Sequence, residues 1–286
     1  MRFGAHLPVA GFTGELPSAS TLIECAEAAE ALGYTTLCAN DHLVFAVPWR
    51  DGLVALSAAA ARTRSIKLIT TASLVVVRGA ASLASAATAI ADISGGRLTI
   101  ALTAGSTPSD YEAVGIPFEE RWRRFDAEVK SFRSYVQPVG LPVWIASWGS
   151  EAGLRRVARH GDGWLASAYH ATPEHFATSL AYLKTQPNIA GRQFPNAVAT
   201  MYTYLTDDPD KAESVLRTLI SPRQAPADLR DRMLIGPVEN CVEKLRRLEA
   251  AGVDQVFVWP VADEVRQLEK FAAEVAPHFN AASVAT

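Results

Sequence analysis

The sequence predicts an α/β fold, a single-domain (β/α)8 TIM barrel with extended loops at its C-terminal mouth. Three observations predict it. Strand-like and helix-like segments alternate from one end of the chain to the other, and eight βα units fit within its 286 residues. Several strand candidates are continuous apolar runs rather than alternating ones, as parallel strands buried on both faces require. No glycine-rich linker or composition shift marks a second unit, so residues 1–280 read as one barrel domain and residues 281–286 as a frayed tail.

The first strand candidate spans residues 2–7. An alanine-rich amphipathic run then fills residues 18–32, with Leu22, Ile23, Ala26, Ala29 and Leu32 at helical spacing, and stops at Gly33 ahead of a strand at 35–39. A helix at 53–63 leads to a strand at 66–70, and a helix at 80–94 leads to a strand at 98–102. Helices at 119–135 and 149–160 precede strands at 143–146 and 163–166. A helix at 173–184 precedes the strand at 197–205, helices at 209–220 and 237–251 precede the strand at 255–258, and a helix at 264–275 follows. Gly33, Gly95-Gly96, Gly161 and Gly252 stand where helices end before strands, the left-handed cap position. The stretches 103–117, 186–195 and 221–236 are longer, polar or proline-bearing, and are expected over the barrel mouth.

The composition is 49% hydrophobic, with 27 Lys+Arg against 30 Asp+Glu and a net charge of −3. That supports one sizeable core and lacks the basic block that a nucleic acid or anionic membrane surface calls for. No apolar run reaches the roughly 18 residues that span a bilayer. The opening MRFGAHLPVAG has no signal-peptide apolar segment, so a cytoplasmic protein is expected. Cys25, Cys38 and Cys241 are odd in number and lack metal-ligand spacing, which reads as reduced, buried thiols. HExxH, CxxC, GxGxxG and GKS/GKT patterns are absent, so no metal, classical dinucleotide or P-loop site is expected.

Barrels of this kind build their sites at the C-terminal ends of strands, which turns the strand list into a candidate list. Asp41 and His42 follow the second strand. Imidazole titrates near neutrality and an acid can fix its tautomer; the competing reading packs His42 on its own loop and leaves Asp41 capping a turn. Thr70, Thr71, Ala72 and Ser73 follow the third strand, and Thr103, Ala104, Gly105 and Ser106 the fourth. Ala146, Ser147, Trp148, Gly149 and Ser150 follow the fifth. Small and hydroxyl residues entering a helix hold phosphate on backbone N–H groups, although plain N-capping explains the same residues. His6 reads equally as a core histidine bonded to a carbonyl. Trp49 and Trp148 are candidate walls of an apolar pocket, Trp144 and Trp164 fill space between strands and helices, and His160, His170, His175 and His278 are expected at the surface.

Four longer motifs together resemble the luciferase-like monooxygenase superfamily: AEALGYTTLCANDHL; ISGGRLTIALTAG followed by DYEAVGIPFEERWRRFDAE; PVWIASWGSEAGLRRVARHGDGW; and GPVENCVEKLRRLEAAGVDQVFVWPV. They run in the family's order over nearly the whole chain. The resemblance implies F420 as cofactor, with FMN the alternative, and places the Asp41-His42 pair against the cofactor ring and the substrate. It implies a ring-backing bulge, often with a non-prolyl cis peptide, at Thr70 to Ser73, a ring-edge loop at Thr103 to Ser106, and a phosphate loop at Ala146 to Ser150. Gly95-Gly96-Arg97 is a family hallmark read as a structural helix stop. The chain departs from the pattern where two glycines usually stand at Ala146 and Ser147 and a small residue at Trp148. It also has Ala104 where bacterial luciferases carry arginine.

The function so implied is an oxidoreductase, F420-dependent hydride transfer to or from a small organic substrate, with His42 and Asp41 as catalytic residues. The alternatives are an FMN-dependent monooxygenase using O2 and a non-catalytic flavin-binding protein. A phosphate-substrate lyase ranks below these because no predicted strand ends in lysine. A homo-oligomer is compatible with the resemblance, and neither nucleic acid nor membrane is an expected partner.

Overall fold

The computed structural model describes residues 1–220 and 228–279. Its sheet contains β1 (Arg2–His6), β2 (Thr36–Ala39), β3 (Lys67–Thr70), β4 (Ser73–Leu74), β5 (Leu98–Thr103), β6 (Val143–Ala146), β7 (Trp164–Ser167), β8 (Asn196–Leu205), β9 (Leu234–Gly236) and β10 (Gln255–Pro260). Every pairing is parallel. The path β1-β2-β3-β5-β6-β7-β8-β10 returns to β1 through Arg2↔Gln255 and closes an eight-stranded barrel inside a ring of helices. The expected (β/α)8 fold is the observed one, in a single domain. The barrel strands are those read from the sequence, shifted by one or two residues at their ends.

Two short strands escaped the pattern. β4 pairs only with β5, through Ser73↔Leu102 and Leu74↔Thr103, while β3 pairs with the start of β5 through Leu68↔Leu98. Together they form one strand broken at residues 71–72. β9 pairs with the end of β8 through Thr203↔Leu234. Runs of two and three residues are too short to carry periodicity. β8 gains one residue on β10 between Val256 and Val258, at a bulge where Thr200 takes φ +60°.

Cys38, Ile69, Ala101, Leu165, Ala197, Ala199 and Phe257 pack inside the barrel, and the larger apolar cluster lies between strands and helices. Trp164 stacks on Phe176 in that outer layer, as expected. Trp144 instead packs against the interior cluster, because alternation along β6 turns it inward beside Ala146. Cys25, Cys38 and Cys241 are all buried and unpaired, and burial pushes Cys25 and Cys241 up to about 12. Gly33, Gly95, Gly96 and Gly252 take positive φ. Gly161 does not: its φ is −98°, and a Cβ there would meet two carbonyl oxygens at 2.9 Å, so close approach is what calls for glycine.

The expected mouth loops divide. Residues 186–195 lie at the opposite face, since they run from a helix into the N-terminal end of β8; Pro195 accepts the Trp164 N–H at 2.9 Å there. Residues 103–117 do stand at the mouth and contain a helix, Pro108–Glu112. Of 221–236, residues 221–227 lie outside the described residues, and the rest forms Leu229–Arg232 and β9 beside the end of β8. The tail at 281–286 also lies outside the described residues. None of the described helices is long and apolar enough to cross a membrane.

At the face opposite the mouth, buried Arg97 closes two helix ends at once. Its guanidinium donates to the carbonyls of Ser94, Ile66, Ala60 and Thr63 at 2.7–3.0 Å and to Thr63 Oγ1 at 2.9 Å. Those carbonyls belong to the C-terminal turns of Gly52–Arg62 and Ala80–Ile93 or to the segment entering β3, and have no further helical donors. Replacing Arg97 by Met leaves several buried acceptors unpaired. It is expected to cost about 3 kcal/mol or more in denaturant unfolding, with Arg97→Lys recovering only part because ammonium lacks the planar fork.

Candidate active site

Beyond β2 the chain turns at Asn40, whose Oδ1 accepts the Asp41 N–H at 2.8 Å. Asp41 is buried with both oxygens committed. Oδ2 accepts the Leu74 N–H at 3.0 Å and Arg78 Nε–H at 2.7 Å, and Oδ1 accepts Arg78 Nη2–H at 2.6 Å. Arg78 reaches on to Asp51 Oδ2 at 2.7 Å, while Asp51 Oδ1 caps the helix Gly52–Arg62 by accepting from Leu53 and Val54. Burial opposes ionisation of Asp51, but the Val54 N–H and Arg78 outweigh it and hold the carboxyl below the usual range. Of the two readings of Asp41-His42, the one in which the acid fixes the neighbouring imidazole is not the arrangement formed.

His42 pairs with Asp110 instead. Its Nδ1 lies 2.7 Å from Asp110 Oδ2, and Asp110 Oδ1 accepts the N–H groups of Leu43 at 2.7 Å and Val44 at 2.9 Å. Asp110 is 1% exposed, on the helix after β5. Sequence reading missed it inside a presumed loop, although Pro108 marks a helix start and places Asp110 in the first turn. The His42 ring stacks on Phe45 at 4.1 Å and meets the Trp49 ring edge at 4.7 Å. Its Nε2 makes no hydrogen bond among the described residues.

Thr71–Ala72 is a cis peptide, located at the break between β3 and β4 where the resemblance implied one. Thr70 Oγ1 donates to the Ala101 carbonyl at 2.9 Å and accepts its N–H at 3.0 Å, and the Thr71 N–H donates to Ala39 at 2.8 Å. Ser73 Oγ is fully buried with no partner among the described residues. After β5, Thr103 Oγ1 accepts the Gly105 N–H at 3.1 Å and the Ala104 carbonyl accepts the Tyr111 hydroxyl. Gly105 (φ +80°) faces Leu74, whose Cδ2 lies 2.6 Å from where a Cβ would stand; Ser106 is exposed. Asp41, His42, Thr70 to Ser73 and Thr103 to Ser106 thus form one contiguous rim across β2, β3–β4 and β5.

Ala146 to Ser150 occupy the next strand end, on β6. Ser150 Oγ caps the helix Glu151–His160 through the Gly153 N–H at 3.2 Å, and Ser147 Oγ accepts the Gly149 N–H at 3.2 Å. Both hydroxyl protons remain to donate, as do the Glu151 and Ala152 N–H groups of the first turn. The Ser147 carbonyl accepts the Trp164 indole N–H at 3.1 Å. No hydrogen bond among the described residues joins this loop to Asp41 or His42. It leans the other way: Trp148, half exposed, stacks on His170 at 3.8 Å, and its carbonyl accepts His175 Nε2–H at 2.9 Å. His175 is exposed, as expected, whereas His170 is half-buried against Trp148 rather than at the surface.

Beneath the rim, His6 stacks on Trp259 with centroids 3.5 Å apart. Trp49 and Phe12 meet the same indole at 5.9 and 5.4 Å. Burial holds His6 neutral and lowers it to about 3, against the opposing pull of the Leu7 carbonyl. No group of three or more metal-ligating side chains occurs among the described residues.

Comparison with known proteins gives the same outline. The family model described as luciferase-like monooxygenase matches residues 1–134 and 125–255. The chain is 25% identical to 4-hydroxyprotoasukamycin monooxygenase of Streptomyces nodosus subsp. asukaensis, over 97% of this chain and 92% of that protein. Among solved structures, the monooxygenase RslO1 from Streptomyces bottropensis superimposes with a TM-score of 0.82 at 21% identity, covering 98% of this chain and 100% of that one. An F420-dependent secondary alcohol dehydrogenase, in complex with an F420-acetone adduct, superimposes at 0.83 with 15% identity over 97% and 98% of the two chains.

The buried His6 makes stability depend on pH. The unfolded imidazole takes a proton near pH 6.5, while the folded one resists until about 3. Its contribution is complete above pH 6.5 and is lost as pH falls towards 3, at roughly 1.4 kcal/mol per pH unit. Denaturant midpoints measured from pH 7.5 to 4 are expected to drop more steeply for the wild type than for His6→Phe, and equal slopes contradict this assignment.

Proposed function

The chain belongs to the luciferase-like monooxygenase family, and on that premise we propose that it is an oxidoreductase binding F420 at the barrel mouth and acting on a small organic substrate. The observation that carries this reading is the His42–Asp110 pair beside the broken strand β3–β4. Donors for such a cofactor are at hand: Ser73 Oγ is buried without a partner among the described residues, and Ser147, Ser150 and the first turn of Glu151–His160 offer hydroxyl and N–H groups to a phosphate. Glu151 in that turn is paired with Arg155, which offsets its charge. Thr70, Thr71, Ala72 and Ser73 would back the ring, Thr103, Ala104, Gly105 and Ser106 would border it, and Ala146, Ser147, Trp148, Gly149 and Ser150 would hold the phosphate.

When bound, reduced F420 supplies a hydride, whereas reduced FMN, the alternative cofactor, supplies the activation of O2 for monooxygenation. The monooxygenase relatives favour the second reading. In either reaction this chain's part is to orient and to handle a proton. Asp110 accepts Nδ1–H on Oδ2 while its Oδ1 takes the Leu43 and Val44 N–H groups, and so fixes His42 with Nε2 as the exchanging nitrogen. Asp110 is a positioning residue. Asp41 is one too: through Arg78 and the Leu74 N–H it fixes the second half of the broken strand.

Titrating the protein with F420 and with FMN by fluorescence tests the assignment; saturable binding of one is expected, and binding of neither overturns it. His42→Ala is expected to lower cofactor turnover with simple ketones or O2 by about 100-fold or more, while cofactor affinity stays within a few fold. Unchanged turnover rejects the proton-handling role, and tight binding without turnover in the wild type identifies a flavin-binding protein instead of an enzyme. Asp110→Asn, which still fills the space, is expected to lower kcat and shift its pH profile with little change in cofactor binding.

A further inference from the structure

His6 is 2% exposed at the end of β1, and its ring lies flat on Trp259, with planes 9° apart. Its Nδ1 is 2.7 Å from the Leu7 carbonyl. A carbonyl has no proton to give, so Nδ1 carries the hydrogen and Nε2 presents a lone pair. That Nε2 is buried and has no partner among the described residues. A second buried orphan, the donor-only Trp49 Nε1, belongs to a ring that meets the same Trp259 edge-on. Trp49 in turn touches His42 at 4.7 Å between centroids. His6 therefore shares one aromatic wall with the residue placed at the proton step, rather than sitting in a remote part of the core. Buried acceptors are normally satisfied, and one that is not calls for a ligand or a water.

We propose that His6 Nε2 accepts a hydrogen bond from a hydroxyl or N–H of the bound substrate, selecting a flat, largely apolar molecule that carries such a donor at its buried end. The proposal deepens the reading of the mouth as an oxidoreductase site and rests on it. The apolar requirement follows from Trp259, which covers one face of the imidazole, and from Phe12 and Trp49, which pack on that same indole. The donor requirement follows from the lone pair, because an ether oxygen at the same place would set acceptor against acceptor. Burial keeps the imidazole neutral at all pH values well above 3, so the lone pair persists under working conditions.

The matched probes 2-naphthol and 2-methoxynaphthalene share the flat skeleton and differ in the donor. Calorimetric titration of both into the wild type, His6→Phe and His6→Gln reads the preference directly. The wild type is expected to bind the naphthol about tenfold tighter. His6→Phe keeps a ring on Trp259 and removes the acceptor, so the ratio should fall close to one; His6→Gln, with an amide oxygen, should recover part of it. A merely structural histidine, or one satisfied by a trapped water, leaves the ratio near one in the wild type or unchanged in His6→Phe, and either result overturns the proposal, as does failure of the wild type to bind the naphthol. F420 and FMN titrations on the same samples separate the two levels: cofactor binding without donor selection sinks this proposal alone, and absence of cofactor binding sinks the reading beneath it.

Discussion

The Asp110 carboxylate is the contact on which the arrangement of the mouth depends. It accepts from His42 Nδ1 and from the N–H groups of Leu43 and Val44. Those three donors lie on the segment after β2, and the acceptor lies on the helix after β5, 66 to 68 residues further on. Nearly all of the side chain is withdrawn from water, where an ion is tolerated only with its lone pairs filled. The pairing orients an imidazole, ties the loop behind it and joins two sectors of the rim that share no strand pairing.

Asp41 supplies a second bracket of the same kind, on the other side of the β2 end. Its fork with Arg78, extended to Asp51, links the tip of β2, the segment after the cis peptide and the N-terminus of Gly52–Arg62. Arg97 at the opposite face works with neutral carbonyls instead, closing helix ends where nothing needs to bind. Among the described residues Ser73 Oγ and His6 Nε2 lie buried without partners towards the C-terminal ends of strands, and the Arg97 clamp lies at the N-terminal end.

The barrel was legible because its strands are unbroken apolar runs and its helices carry 3.6-residue periodicity, signals that depend only on neighbouring residues. The strand ends at Asp41-His42, Thr70 to Ser73, Thr103 to Ser106 and Ala146 to Ser150 followed from that frame. Partners across the rim did not follow. Asp41 and His42 are adjacent in sequence, yet the turn at Asn40 sends them to Arg78 and Asp110, one 37 and the other 68 residues away. Pairings of that range leave no periodic trace. His170 reads as a surface residue for the same reason, since its contact with Trp148 exists only once β6 and β7 lie side by side. The loop at 186–195 was misplaced by composition, although its position between a helix and the next strand assigns it to the opposite face.

On the proposed function, four neighbouring strand ends form one cofactor site. Hydrogen–deuterium exchange on the full chain, with and without saturating F420 or FMN, tests it most directly. Bound cofactor is expected to slow exchange together at residues 40–45, 70–74, 103–106 and 147–153, while the clamp around Arg97 is unaffected. Protection confined to another surface, such as the outer face of the helix Ala80–Ile93, would contradict it.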